Sequence, residues 1–276
     1  MPETVVSGHP VGWRVYGSGP RAAVMLHCSL AHSGAWGALA ERLGDALTMT
    51  AFDQPGHGRS GDWDGKVDLH RLTTDIAVHF AAQSSGPVDL FGHSFGGTVA
   101  LRLAIERPDL VRSLTLVEPV LFAAARTSAP GAFAQYEAAK APFVRALAQG
   151  DKPRATAFFH DEWGAGTLDA MAEPQRRYIT DRIGMIMGQD HALTGDSAGL
   201  LQPGRLASIK VPVLLVEGAA SPPVIDAIMA ELARHLPQAR RLAVPGAGHM
   251  VPITHPDTVA AAVRDHLGLA AAHVTA

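Results

Sequence analysis

The chain has 276 residues, 47% hydrophobic and 18% charged, with a net charge of −3. That length suits one core domain with a sizeable insertion, or two small domains. The balance excludes the basic footprint of a nucleic-acid or anionic-membrane binder, so small neutral or weakly polar substrates are the default. A lone cysteine, Cys28, excludes an internal disulfide. Residues 1–8 lack the basic and apolar regions of a signal peptide, and no apolar stretch reaches the roughly 18 residues of a membrane span. A soluble, cytoplasmic protein is expected.

Short apolar runs at residues 11–16, 22–26, 47–52, 88–91, 113–117, 213–217 and 241–244 read as strands. Most are near-continuous, as in strands buried on both faces. Helices are predicted between them at residues 39–43, 69–82, 98–106, 225–235 and 258–267. Leu69, Leu72, Ile76 and Phe80 form one apolar stripe at helical spacing. This alternation implies a mostly parallel sheet with helices on both faces. The link Gly17-Ser18-Gly19-Pro20 reads as a hairpin joining the first two strands.

The rhythm changes between residues 119 and 212, where helical patterns at 132–149, 154–163 and 174–187 replace strands. This is read as a helical insertion. Residues 1–118 and 206–276 are expected to form the core domain and residues 119–205 a cap. The tail, residues 270–276, is expected to fray.

Gly92-His93-Ser94-Phe95-Gly96 follows one predicted strand and opens a helix. A sharp strand-to-helix turn needs small residues around it and lifts the serine to the sheet's edge, the context a nucleophile requires. Gly246-Ala247-Gly248-His249-Met250 follows the last predicted strand, where a loop histidine can exchange a proton with that serine. The stretch Leu26-His27-Cys28-Ser29-Leu30 follows an earlier strand. The Ser29 backbone N–H, with that of Phe95, is placed to form an oxyanion hole. Cys28 reads as a small buried filler. The turn-rich loop from Asp53 to Ser60 is assigned a structural role, with lining of the site's floor by His57 as the functional alternative. Phe122, Phe133, Tyr136, Phe158, Phe159 and Trp163 supply aromatic wall material in the cap.

The stretches LHCSLAHSGAW, DQPGHGRS, GHSFGG and GAGHMVPITHP, in this order, resemble the α/β-hydrolase superfamily over residues 12–267, in its branch with a helical cap between the sixth and seventh strands. The resemblance implies the α/β-hydrolase fold: a mostly parallel eight-stranded sheet, helices on both faces and a helical cap insertion. It also implies a serine nucleophile. The superfamily's epoxide hydrolases and haloalkane dehalogenases carry aspartate where this chain has Ser94.

Two departures stand out. The family's His-Gly in the oxyanion loop is His27-Cys28 here, which puts a side chain where it would crowd the oxyanion hole or narrow the pocket. The loop that usually carries the triad acid is Gly218-Ala219-Ala220-Ser221-Pro222-Pro223, with no carboxylate. Glu118, directly after the predicted strand at 113–117, is the first choice for a replacement, and Glu217 the second. A water or a backbone carbonyl holding His249 is the remaining alternative.

The expected activity is hydrolysis of a small carboxylic ester, thioester or lactone through a Ser94 acyl-enzyme, with His249 as base and Glu118 as acid. No cofactor, metal, nucleic-acid or membrane partner is expected. Members of the superfamily also hydrolyse carbon–carbon bonds of diketone-like substrates or perform cofactor-free perhydrolysis, and these readings stay open. So does a hydrolase-fold binding protein with residual turnover.

Overall fold

The computed structural model describes residues 3–269; the frayed tail expected at 270–276 lies outside them. Among these residues the strands are β1 (Glu3–Val6), β2 (His9–Tyr16), β3 (Arg21–Leu26), β4 (Leu47–Phe52), β5 (Val88–His93), β6 (Val111–Val117), β7 (Val213–Gly218) and β8 (Ala239–Val244). They form one eight-stranded sheet in the order β1-β2-β4-β3-β5-β6-β7-β8. β1–β2 and β2–β4 pair antiparallel, and every other pair is parallel. The helices are α1 (Gly37–Leu43), α2 (Leu69–Ala82), α3 (Phe95–Glu106), α4 (Phe122–Ser128), α5 (Pro130–Ala148), α6 (Lys152–Trp163), α7 (Glu173–Arg182), α8 (Met185–Leu193), α9 (Pro223–His235), α10 (Val251–Thr254) and α11 (Pro256–Leu267).

The central strands are buried on both faces, and their side chains alternate between two cores, as a period of two dictates. Val24 and Leu26 of β3 join one core, and Ala23 and Met25 the other. α2, α3 and α9 cover the first face with Ile76, Val99 and Ile228, while α1 and α11 cover the second with Leu39 and Val263. The apolar stripe of α2 enters the first core, and Asp68 caps that helix by accepting the Arg71 N–H at 2.7 Å.

The predicted pairing of residues 11–16 with 22–26 is wrong, because β4 lies between them. The antiparallel start is instead the β1–β2 hairpin, whose first strand the sequence reading missed. Backbone contact explains the error. The Ser18 and Gly19 amides bond the Gly44 carbonyl at 2.9 and 3.1 Å, so the link crosses the start of β4 rather than turning back. A Cβ on Gly19 would sit 2.0 Å from the Ala46 carbonyl carbon, which only glycine avoids.

Between β6 and β7 the chain is helical, from α4 to α8. The predicted helix at 174–187 is two helices, α7 and α8, broken at Ile183 and Gly184. Burial of Ile183 in a small core with Phe143, Ala146 and Ala155 accounts for the break: the chain turns there to pack inward. Leu30, from the loop after β3, is part of the same small core. α4, unforeseen in the sequence, sends Phe122, Ala124 and Ala125 into the first sheet core.

Candidate active site

Ser94 stands between β5 and α3 with φ 57° and ψ −120°. A non-glycine residue in that region costs on the order of 1–3 kcal/mol and persists only where its surroundings over-determine it. Here the Ser94 amide donates to the Val117 carbonyl at 2.9 Å, and its own carbonyl takes the Gly97 amide at 2.9 Å. Gly96 packs against the loop after β3, where a Cβ would sit 2.4 Å from the Leu26 carbonyl oxygen. The turn and that loop are thus in backbone contact, which brings Phe95 and Ser29 to one place. Neither of their amides donates a hydrogen bond to another group among the described residues.

Two more strained residues ring the same sheet edge, Leu30 with φ 61° and Glu118 with φ 42°. The Leu30 amide donates to His57 Nε2 at 3.0 Å, and the Glu118 amide to the Val216 carbonyl at 2.9 Å. His57 Nδ1 donates to the Pro55 carbonyl, and His27 Nδ1 to that of Cys28. His27 Nε2 accepts the Gln54 amide at 3.0 Å. Both imidazoles are therefore neutral braces. Burial, reinforced for His27 by the neighbouring His57, pushes His27 down to about 3 and His57 to about 4. His57 lies buried under Leu30 rather than on the cavity floor.

Glu118 follows β6 directly and is fully buried. Its Oε2 accepts from His249 Nδ1 at 2.6 Å. Its Oε1 takes the Gly218 amide at 2.6 Å and the Ser221 hydroxyl at 2.5 Å. Burial alone would raise this carboxyl; the bonds from His249, Ser221 and Gly218 outweigh it and hold the group below its ordinary value. With its Nδ1 proton committed to Glu118, His249 presents Nε2 as an acceptor. His93 Nε2 donates to the His249 carbonyl at 2.9 Å and fixes the loop from below. The Trp163 ring meets the imidazole edge-on, with centroids 4.9 Å apart.

Glu217, the second candidate, is placed elsewhere. Its Oε1 takes two bonds from Arg241, at 3.1 and 2.5 Å, on the flank of the sheet.

Ser94 and His249 line one cavity with about 610 Å³ of empty space, part of it open to solvent. Ser29 lines it too, whereas Cys28 is buried outside it, its thiol pushed up to about 12 by burial. The departure at Cys28 therefore does not narrow the cavity. Phe122, Tyr136, Phe158, Phe159 and Trp163 form walls, as the sequence suggested. Phe133 is not among the lining residues and packs on Tyr136, ring centroids 6.0 Å apart. Sequence reading missed Phe143, Ile186 and the polar group Lys140, Glu162 and Gln189. Lys140 is ion-paired with Asp190, and burial raises the Glu162 carboxyl. Helical spacing alone did not reveal which face of α5, α6 and α8 turns inward.

A serine on a strained strand-to-helix turn, a histidine held by a buried carboxylate, and a family model for the α/β hydrolases that matches residues 23–262 all converge. The chain belongs to the α/β-hydrolase family. It is 30% identical over 262 residues to the lipase LipV of Mycobacterium tuberculosis, an alignment covering 91% of this chain and 95% of that one. It is 29% identical over 249 residues to the pimeloyl-(acyl-carrier protein) methyl ester esterase of Nitrosomonas europaea, covering 87% and 93%. The crystal structure of an α/β hydrolase from Sphaerobacter thermophilus superposes with a TM-score of 0.73 at 26% identity, covering 96% of this chain and all of that one. This hydrolase thus shares its architecture with that α/β hydrolase over 96% of its length.

Proposed function

We propose that this hydrolase is a serine esterase that cleaves a small carboxylic ester, thioester or lactone. Ser94 Oγ attacks the carbonyl while His249 Nε2 takes its proton, and Glu118 stabilises the imidazolium that forms. The Ser29 and Phe95 amides hold the oxyanion. The alcohol or thiol leaves with the proton from His249. Water, deprotonated by the same nitrogen, then releases the acid from Ser94. Residues 119–205 act as the cap, whose aromatic walls receive the apolar part of the substrate.

The observation that carries this reading is the 2.6 Å bond between His249 Nδ1 and Glu118 behind a serine on the strained turn. It supplies the base and its orienting group, which a binding protein has no need to maintain. The names of the lipase and the esterase among the relatives favour ester bonds. A panel of p-nitrophenyl esters of increasing chain length tests it, with Ser94→Ala beside the parent. Turnover should fall by on the order of 10⁶ in kcat with the fold intact. Residual activity within about tenfold of the parent would remove Ser94 from the mechanism.

A further inference from the structure

Gln189 sits on α8, 2% exposed, and lines the cavity together with Ser29, Ser94 and His249. Its Oε1 accepts the Ser29 hydroxyl at 2.7 Å. Its Nε2 is buried and has no hydrogen-bond partner among the described residues. A buried amide donor left unpaired is costly and calls for an explanation. Most of the cavity lining is aromatic and aliphatic, and its other polar side chains, Lys140 and Glu162 among them, do not come within hydrogen-bond distance of Nε2. The Ser29 bond prevents the amide from swinging away, because Oε1 is fixed to the loop whose backbone N–H is the proposed oxyanion donor.

We propose that Gln189 is a specificity-determining residue whose Nε2 donates to a second acceptor on the substrate, close to the scissile carbonyl. The inference rests on the serine-esterase reading and names its substrate class: esters whose acyl group carries an ether, hydroxyl or keto oxygen within a few bonds of the carbonyl. Proximity follows from the bond to Ser29, which holds the Oε1 end of the Gln189 amide against the loop after β3. A plain alkyl chain at that point leaves the donor unpaired, and a site with a buried unpaired donor disfavours such a substrate. The same residue also joins α8 to the loop after β3, so an acceptor bound at Nε2 is aligned with the oxyanion donor by one side chain.

A matched pair of esters tests this. p-Nitrophenyl methoxyacetate and p-nitrophenyl butyrate have the same shape, with an oxygen replacing one methylene. Each kcat/KM is divided by the rate of hydroxide-catalysed hydrolysis of the same ester, which removes the difference in intrinsic reactivity. The parent enzyme should favour the methoxyacetate by about tenfold. Gln189→Met, which fills the space without a donor, should bring the ratio near one. Gln189→Glu, which keeps an acceptor for Ser29 and loses the N–H, should do the same, and it carries the test if the methionine variant does not fold. A ratio near one in the parent, or an unchanged ratio in a folded variant, overturns the proposal while leaving the esterase reading standing. If the parent hydrolyses neither ester and Ser94 resists a fluorophosphonate, the esterase reading fails and takes this inference with it.

Discussion

Ser221 donates its hydroxyl to Glu118 Oε1 at 2.5 Å, so the loop after β7 and the end of β6 share one buried carboxylate. The resemblance places an acid in that loop. Here the loop contributes two donors, Ser221 and the Gly218 amide, that keep the carboxylate at the end of β6 ionised and immobile. From the end of β6, Glu118 Oε2 reaches His249 Nδ1 at 2.6 Å.

Substitutions at the candidate acids should separate sharply. Glu118→Gln removes the acceptor that sets the His249 tautomer and should lower kcat by roughly 10⁴ without unfolding. Glu217→Gln touches only the Arg241 pair and should stay within about threefold of the parent, as expected for a partly exposed ion pair. Ala220→Asp restores a carboxylate to the loop and should raise nothing, because His249 Nδ1 is already engaged. Steady-state kinetics on one ester reads all three. A near-parental Glu118→Gln, or a large gain from Ala220→Asp, contradicts the placement of the acid.

Trp163 closes over His249 and packs against Phe122 and Tyr136. Trp163→Ala should open the cavity and raise the kcat/KM ratio of octanoate to butyrate esters by about tenfold, since one methylene in an apolar pocket is worth about 1–3 kcal/mol. The same change should lower stability by about 1–3 kcal/mol, because the ring is also packing material. A loss of stability with an unaltered chain-length profile would confine Trp163 to packing.

Acid sensitivity should begin well above the carboxylate range. Burial holds His27 and His93 down to about 3, and His57 and His70 to about 4, against about 6.5 in the unfolded chain. Above pH 6.5 or so both states are neutral and these groups contribute nothing. Below it the unfolded chain binds protons that the folded chain refuses, so stability falls by on the order of 1 kcal/mol per histidine per pH unit. The loss levels off once the pH drops through the folded values. Glu118, lowered on folding, adds a further loss only as the pH falls below its ordinary range. His266 is a fifth ring lowered by burial; Tm should drop by about 10–15 °C from pH 6.5 to 5, and His70→Asn should flatten the slope by about a fifth. A Tm unchanged over that interval contradicts neutral burial of these rings.

Local sterics made parts of this molecule legible in the sequence. Gly92 to Gly96 announces a tight turn after a strand, and His249 announces itself by following the last strand. Glu118 was reachable only by elimination and by its place at the end of β6, since no motif marks it. Strand order was out of reach, because β4 is inserted beside β2 by contacts between residues 17–19 and 44–47 that have no periodic signature. Gln189 was missed for a related reason. Asp190 and His191 follow it in α8, so it reads as one of a polar run, and only tertiary packing of that helix against the loop after β3 turns the amide toward Ser29. The break at Ile183 and Gly184 joins a weak helix former, Gly184, to burial of Ile183, and that burial is visible only in the tertiary packing.

The proposed esterase activity depends on activation of Ser94 as a nucleophile through His249 and Glu118. Covalent labelling with a fluorophosphonate, located by peptide mass spectrometry and followed in time, reads it most directly. A single stoichiometric adduct on Ser94 is expected, absent in Ser94→Ala and slower by at least about 100-fold in Glu118→Gln, since the misplaced tautomer no longer accepts the serine proton. An adduct on another residue, or labelling of Ser94 at the parental rate in Glu118→Gln, would contradict it.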